Sequence, residues 1–270
     1  MRRPSAWHLV LAPMALLFAL PLLWLIVSSF MTDAEINRFP PTIIPDGIHF
    51  DGYDYVFATG KFGRWFLNST IVAGVTVFSN LVFCSLAGYA FARMHFRGSR
   101  VLLAVMLATL VIPFQLTMIP TFLIFKHLGL IDSLGALILP SLVTPFGVFL
   151  LRQFFVSLPR EIEEAAWIDG CSRMAILMKV VLPLARPALA TVAVLTLLVV
   201  WNDLTWPLIA INSDTKYTVQ LGLATYQGAH RTHWSAVMAG NVLVTLPIVL
   251  AFLLAQRTFI RSLTSTAVKG

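Results

Sequence analysis

Apolar residues fall into six long runs, at 9–30, 67–92, 101–125, 134–156, 188–210 and 237–259, each of 22 to 26 residues and each bounded by polar segments. At about 1.5 Å per helical residue, such a run crosses a hydrocarbon core of roughly 30 Å. The pattern predicts an all-α integral membrane protein with six transmembrane helices in a single domain covering residues 1–270. A soluble fold is excluded by size, because 270 residues leave too little chain to wrap six helices of that length. The links 93–100 and 126–133 are short and force antiparallel neighbours. The first link, 31–66, is long and polar, with Pro40, Pro41 and Pro45 among five carboxylates, and reads as a folded lid or partner-facing loop. Prolines within the runs, such as Pro113, Pro140, Pro145, Pro207 and Pro247, each remove a backbone donor and predict kinks. Small residues Ala87, Gly88, Ala90 and Ala92 end the second run and allow another helix to approach closely.

Charge adds orientation. The net charge of +7 invites a nucleic-acid reading, but the placement of the basic residues points to a membrane instead. With the N-terminus inside, Arg38, Lys61, Arg64, Lys126, Lys216 and Arg231 lie outside, and the remaining thirteen of the 19 Lys and Arg lie in the cytoplasm. That bias predicts both termini in the cytoplasm of a multi-pass protein of the cell membrane. The first run is longer than a signal-peptide core and lacks a small-residue cleavage site after it, so it is read as a retained anchor. Arg152 and Arg257 lie near enough to span ends to reach water. Cys84 and Cys171 fall at different depths and predict no disulfide, only small apolar fillers.

The most informative stretch is 157–187, SLPREIEEAAWIDGCSRMAILMKVVLPLARP, the longest cytoplasmic link. Pro159 suits a first helical position, and Glu161, Glu163 and Glu164 suit the first turns, where the helix dipole favours carboxylates. Gly170 suits a left-handed cap that ends the helix. Ser172 suits the N-cap of a second helix, whose apolar residues Met174, Leu177, Met178 and Val181 precede Pro183. Two short angled helices at the membrane surface follow, presenting an acidic corner.

Here the chain resembles the permeases of ABC importers. Their last long cytoplasmic loop carries Glu-Ala-Ala, three residues, Gly, nine residues, Ile, one residue, Leu-Pro. Glu164, Ala165, Ala166, Gly170, Leu182 and Pro183 match, and Val180 stands for Ile. Trp201-Asn202-Asp203, Trp206-Pro207, Met238-Ala239-Gly240 and the ending Ala267-Val268-Lys269-Gly270 resemble the carbohydrate-uptake branch of the maltose type, with Ser265-Thr266 departing from its usual small pair. The resemblance implies that Glu164 through Pro183 dock into and couple to an ATPase subunit, and that the tail 267–270 reaches the ATPase dimer. It also implies a second, similar permease and an external solute-binding protein as partners.

No Gly-x-x-x-x-Gly-Lys-Ser/Thr loop occurs, so ATP and Mg are expected on the partner ATPase, with no cofactor or catalytic residue in this chain. His230 and His233 have no third ligand nearby and are read as solvated loop histidines, with no metal site. The rival class, an ion-coupled secondary transporter, calls for charge near the midplane. Only Asp203 qualifies, near a span end, and with Asn202 it is read either as facing the solute path or as helix-packing glue. The reading is therefore an alternating-access permease for a sugar or sugar-like solute, with the solute itself unspecified.

Overall fold

A computed structural model of the chain describes residues 7–40, 43–228 and 232–267. Its helices are α1 (Trp7–Ser28), α2 (Asp33–Ile36), α3 (Asp51–Ala58), α4 (Phe62–Arg93), α5 (Ser99–Ala108), α6 (Phe114–His127), α7 (Leu134–Ile138), α8 (Pro145–Ser157), α9 (Arg160–Ile168), α10 (Arg173–Ile176), α11 (Leu182–Leu184), α12 (Arg186–Trp201), α13 (Thr205–Ala210), α14 (Val219–Ala224) and α15 (Trp234–Ala267). Among the described residues the only β feature is an isolated bridge between Gln227 and Thr232.

Four segments are long and apolar enough to cross a membrane: Val10–Ser28, Phe62–Arg93, Leu134–Ser157 and Trp234–Leu254. The count reaches six if each of two bent pairs is one span: Ser99–Val111 with Phe114–His127, bent by 104°, and Arg173–Leu184 with Arg186–Trp201, bent by 79°. The third run, 101–125, breaks where Pro113 predicts a kink. Proline disfavours helical backbone in the residue before it, and Ile112 is accordingly extended ahead of Pro113. The fifth run, 188–210, is not one helix: α12 stops at Trp201 and the chain restarts as α13.

The chain divides into two compact units, Met1–Phe66 with Leu221–Leu246, and Leu67–Gln220 with Pro247–Gly270. In the first unit, residues 31–66 are more than a loop. Thr32 and Glu35 form a reciprocal capping box, and the Glu35 carboxylate also accepts from the Asp46 amide at 2.9 Å. The Thr32 amide, then that of Asp46, hold Glu35 below the usual carboxylate range. Asp33 accepts from the Ser235 amide at 2.8 Å, and Tyr55 stacks on His233 at 4.5 Å. His233 is therefore packed rather than solvated, while His230 lies outside the described residues.

In the second unit, α7 and α8 are separated by a 3-10 turn, Leu139–Ser141, where Pro140 and Pro145 interrupt the backbone ladder. Asn80 of α4, fully buried, closes this break. Its amide donates to Ser141 O at 2.6 Å and Thr76 O at 3.0 Å. Its carbonyl accepts from Thr144 Oγ1 at 2.8 Å and Cys84 Sγ at 3.3 Å. Irregular backbone survives at membrane depth where it is buried in protein or lines a water-filled cavity, and here its polar groups are satisfied inside the protein. Cys84 is thus a hydrogen-bonding member of the break, not merely a filler. Gly88, one turn on, meets α8 as its small size predicts: a Cβ there would lie 3.1 Å from Arg152 N and 3.2 Å from Val148 O. Arg152 does not reach water through its Nε, which is buried without a hydrogen-bond partner among the described residues.

Between α6 and α7, Asp132 sits at φ 58° and gathers the start of the 212–216 segment. It accepts from the amides of Asn212 at 3.0 Å and Ser213 at 2.9 Å, from Ser213 Oγ at 2.6 Å, and from Lys216 Nζ at 2.9 Å. The Ser213 hydroxyl, helped by the two amides and Lys216, holds the carboxyl well below its usual range. A depressed carboxylate pKa stabilises the fold above the unfolded value of about 3.9 and ceases to do so as pH falls through the lower folded value. The tie is therefore expected to persist from neutrality to below pH ~4. Asp132→Asn should loosen it at pH 7, with amide exchange at 211–217 accelerating by an amount equivalent to about 2 kcal/mol. Wild-type rates in that variant would show that the carboxylate is idle.

Candidate coupling site

The corner predicted at 157–187 is present. Pro159 occupies the N-cap of α9, one position before the expected place, and Glu161 and Glu163 lie in the first turn. The C-terminus closes with a paired cap: Gly170 N–H donates to Trp167 O and Cys171 N–H to Ala166 O, both at 3.0 Å. This pairing requires a left-handed residue between helix and exit. Gly170 supplies it at φ 82°, and a Cβ at that position would meet nothing within 4 Å, so backbone conformation alone demands glycine there. Ser172 then caps α10, accepting from the Ala175 amide at 3.3 Å.

After α10 the chain widens into a π turn at Leu177–Val181 before α11. Pro183 has no N–H to donate to Lys179 O, as a continuous α-helix would need, and the wider turn absorbs that defect. The turn also changes the expected face. Ile176, Leu177 and Val181 are buried with Tyr89, Leu151 and Phe155, whereas Met174 and Met178 are exposed.

The motif residues separate into two groups. Ala166, Val180 and Leu182 are half-buried against this core. Glu164, Ala165, Gly170 and Pro183 are exposed, together with Trp167 and Ile168, the latter at 85%. Arg173 lies over the Trp167 ring at 5.7 Å. A groove of about 230 Å³ opens here, lined by Tyr89, Arg93, Arg160, Glu163, Glu164 and Arg173 among others.

Glu163 is the site residue that sequence reasoning undervalued. Its carboxylate accepts from Arg93 Nε at 2.6 Å and Tyr89 OH at 2.9 Å, both from the end of α4. A second Arg93 nitrogen donates to Leu158 O at 2.8 Å. Seventy residues separate the ion-paired groups, so no local pattern could have joined them. The one available signal was a basic residue ending a span in a chain whose surface corner carries adjacent carboxylates.

Asn202 and Asp203 do not sit with this corner. Asn202 ends α12, donating to Leu198 O at 2.8 Å, and Asp203 accepts from the Trp206 amide at 3.3 Å in the first turn of α13. Trp206 in turn donates to Ala136 O at 2.9 Å. Both polar residues thus satisfy the backbone of their own helix break. Of the tail, only Ala267 lies among the described residues, as the last residue of α15. Val268, Lys269 and Gly270 lie outside the described residues. Among the described residues, no group of three His, Cys, Asp or Glu is placed to hold a metal ion.

The family model described as binding-protein-dependent transport system inner membrane component matches residues 81–265, a span that contains the whole corner. The chain belongs to this family. As a permease it is 38% identical over 270 residues to the arabinooligosaccharides transport system permease protein AraQ of Halalkalibacterium halodurans, covering 98% of this chain and 97% of that one. The permease is also 33% identical over 255 residues to the diacetylchitobiose uptake system permease protein NgcG of Streptomyces coelicolor, covering 93% and 84% of the two chains. Its fold matches a bacterial ABC transporter involved in the import of the acidic polysaccharide alginate, with TM-score 0.80 and 24% identity over 96% of this chain and 100% of that one. The exposed corner is thus a feature of a multi-pass transport subunit.

Proposed function

We propose that this permease forms one transmembrane half of an ATP-driven importer for a carbohydrate, an oligosaccharide or related sugar. The relatives named for arabino-oligosaccharide and diacetylchitobiose transport support the solute class. The observation that carries the mechanism is the α9–Gly170–α10 corner, which is locked by its paired cap and exposes Glu164, Trp167 and Ile168. Projecting polar and aromatic side chains from a rigid turn suits insertion into a cleft of a partner.

In this reading the corner, like both termini, lies in the cytoplasm, as the basic-residue bias supports. Each ATPase of a dimer receives one corner, from this chain or from a second, similar permease. ATP and Mg bind to the ATPases, since the chain lacks a phosphate-cradling loop. Closure of the ATPase dimer draws the corners inward, and the paired permeases open outward to accept solute from an external binding protein. The tail 267–270 contacts the ATPase dimer. Its deletion is expected to lower the ATPase recovered with the complex while the spans stay inserted; full recovery with normal transport would leave the tail without this role.

The test is reconstitution of the permease with its partner subunits and binding protein in vesicles. Uptake should require ATP and the binding protein together. Uptake that runs on an ion gradient without ATP would overturn the proposal.

A further inference from the structure

One guanidinium joins three helix ends. Arg93 closes α4, its Nε holds Glu163 of α9 at 2.6 Å, and its other donor holds the Leu158 carbonyl at 2.8 Å, where α8 stops. Tyr89, one turn back on α4, bonds the second Glu163 oxygen at 2.9 Å. The side chains of Arg93 and Glu163 are only 9% and 15% exposed. Adjacent residues on a helix are about 100° apart, so α9 can bury Glu163 against α4 while leaving Glu164 exposed on the outer side.

We propose that Arg93, Glu163 and Tyr89 form a rigid strut that passes displacement of α9 on to α4. Arg93 and Glu163 are then positioning residues for energy coupling, distinct in role from the exposed residues that meet the ATPase. The proposal rests on the reading of α9 as the ATPase-facing helix. Its physical basis is the difference between apolar and ionic contact. The packing of Ala166 and Val180 on the core tolerates sliding, because dispersion is weakly directional. A charge pair withdrawn from water tolerates little, because separating it strands two poorly solvated charges. The forked geometry of arginine fixes angle as well as distance, and here it does so toward two helices at once. When α9 is pushed, the arrangement that keeps Arg93 and Glu163 paired is one in which α4 and the end of α8 move with it.

Arg93→Lys preserves charge but removes the fork. In reconstituted complexes it should leave the ATPase bound at wild-type stoichiometry and still hydrolysing, while ATP consumed per solute imported rises about tenfold. Glu163→Gln should act in the same direction, and the double variant should be no worse than either single one, as expected for residues that act as a pair. A wild-type ATP-to-solute ratio in Arg93→Lys would overturn the strut. So would failure of both single variants to assemble, since the contact would then serve folding alone. Failure of the underlying docking reading has a separate signature: Glu164→Ala and Gly170→Val would both retain ATPase association and uptake, whatever the ratio measured in Arg93→Lys.

Discussion

Gly170→Val is expected to abolish solute-coupled ATP hydrolysis and to strip most of the ATPase from the purified complex. A β-branched residue at φ 82° meets the steric penalty of the left-handed region, about 1–2 kcal/mol for an ordinary L-residue and more for a branched one. The chain can relieve it only by abandoning the cap bonds to Trp167 O and Ala166 O, which re-aims α9 relative to α10. Glu164→Ala isolates the carboxylate from the turn. If Glu164 pairs with a basic group in a closed interface, its loss costs about 2–5 kcal/mol of association. If it only complements the dipole of α9, the cost is about 0.3–1 kcal/mol, too small to release a bound subunit. Co-purification of the ATPase with each variant, alongside uptake, distinguishes these outcomes. Wild-type behaviour of both would remove the corner from the coupling mechanism.

Asn80→Leu is expected to be the most damaging substitution within the spans. Leucine is near in volume but offers nothing to Ser141 O or to the Thr144 hydroxyl, both of which use Asn80 as a partner. A buried polar group left without a partner costs about 1–3 kcal/mol. Polar contacts between membrane helices are worth less on average, about 0.6 kcal/mol, because the separated helices find other partners. The break between α7 and α8 favours the larger figure, since backbone freed by Pro140 and Pro145 has no helical alternative. A fall in thermal stability of the detergent-purified chain, with Asn80→Gln intermediate, is the expected result. An unchanged melting temperature in Asn80→Leu would mean that the break is held by its apolar surroundings.

The apolar runs made the spans legible because helix length and bilayer thickness are tied by geometry. The bends were less legible. Pro113 marked a kink, but a 104° turn depends on Ile112 adopting an extended backbone, a choice that neighbouring chain makes rather than the proline alone. Gly170 and Ser172 were readable because caps are local: each works through atoms within four residues. Glu163 with Arg93, Asn80 with Ser141, and Asp132 with Ser213 were not, since each pairs groups more than sixty residues apart. Such pairings follow from packing, and packing leaves no trace in spacing. Glu163 and Glu164 illustrate the limit, for two identical neighbours take opposite environments that only the position of α4 distinguishes.

The π turn at Leu177–Val181 carries a consequence for angular phase. Such a turn holds one residue more than the α-helical turn it replaces, and one residue corresponds to about 100° of rotation about the axis. Everything ahead of it, including α10, Gly170 and α9, is therefore rotated by that amount relative to α11 compared with an unbroken helix. Removing a single residue from Leu177–Val181 would return the helix to regular winding and swing the acidic corner about a quarter turn around the axis, with every side chain of the corner intact. The angular phase of this protein's corner about the 173–184 axis is thus shifted by one surplus residue, held in place by a proline that cannot donate a hydrogen bond.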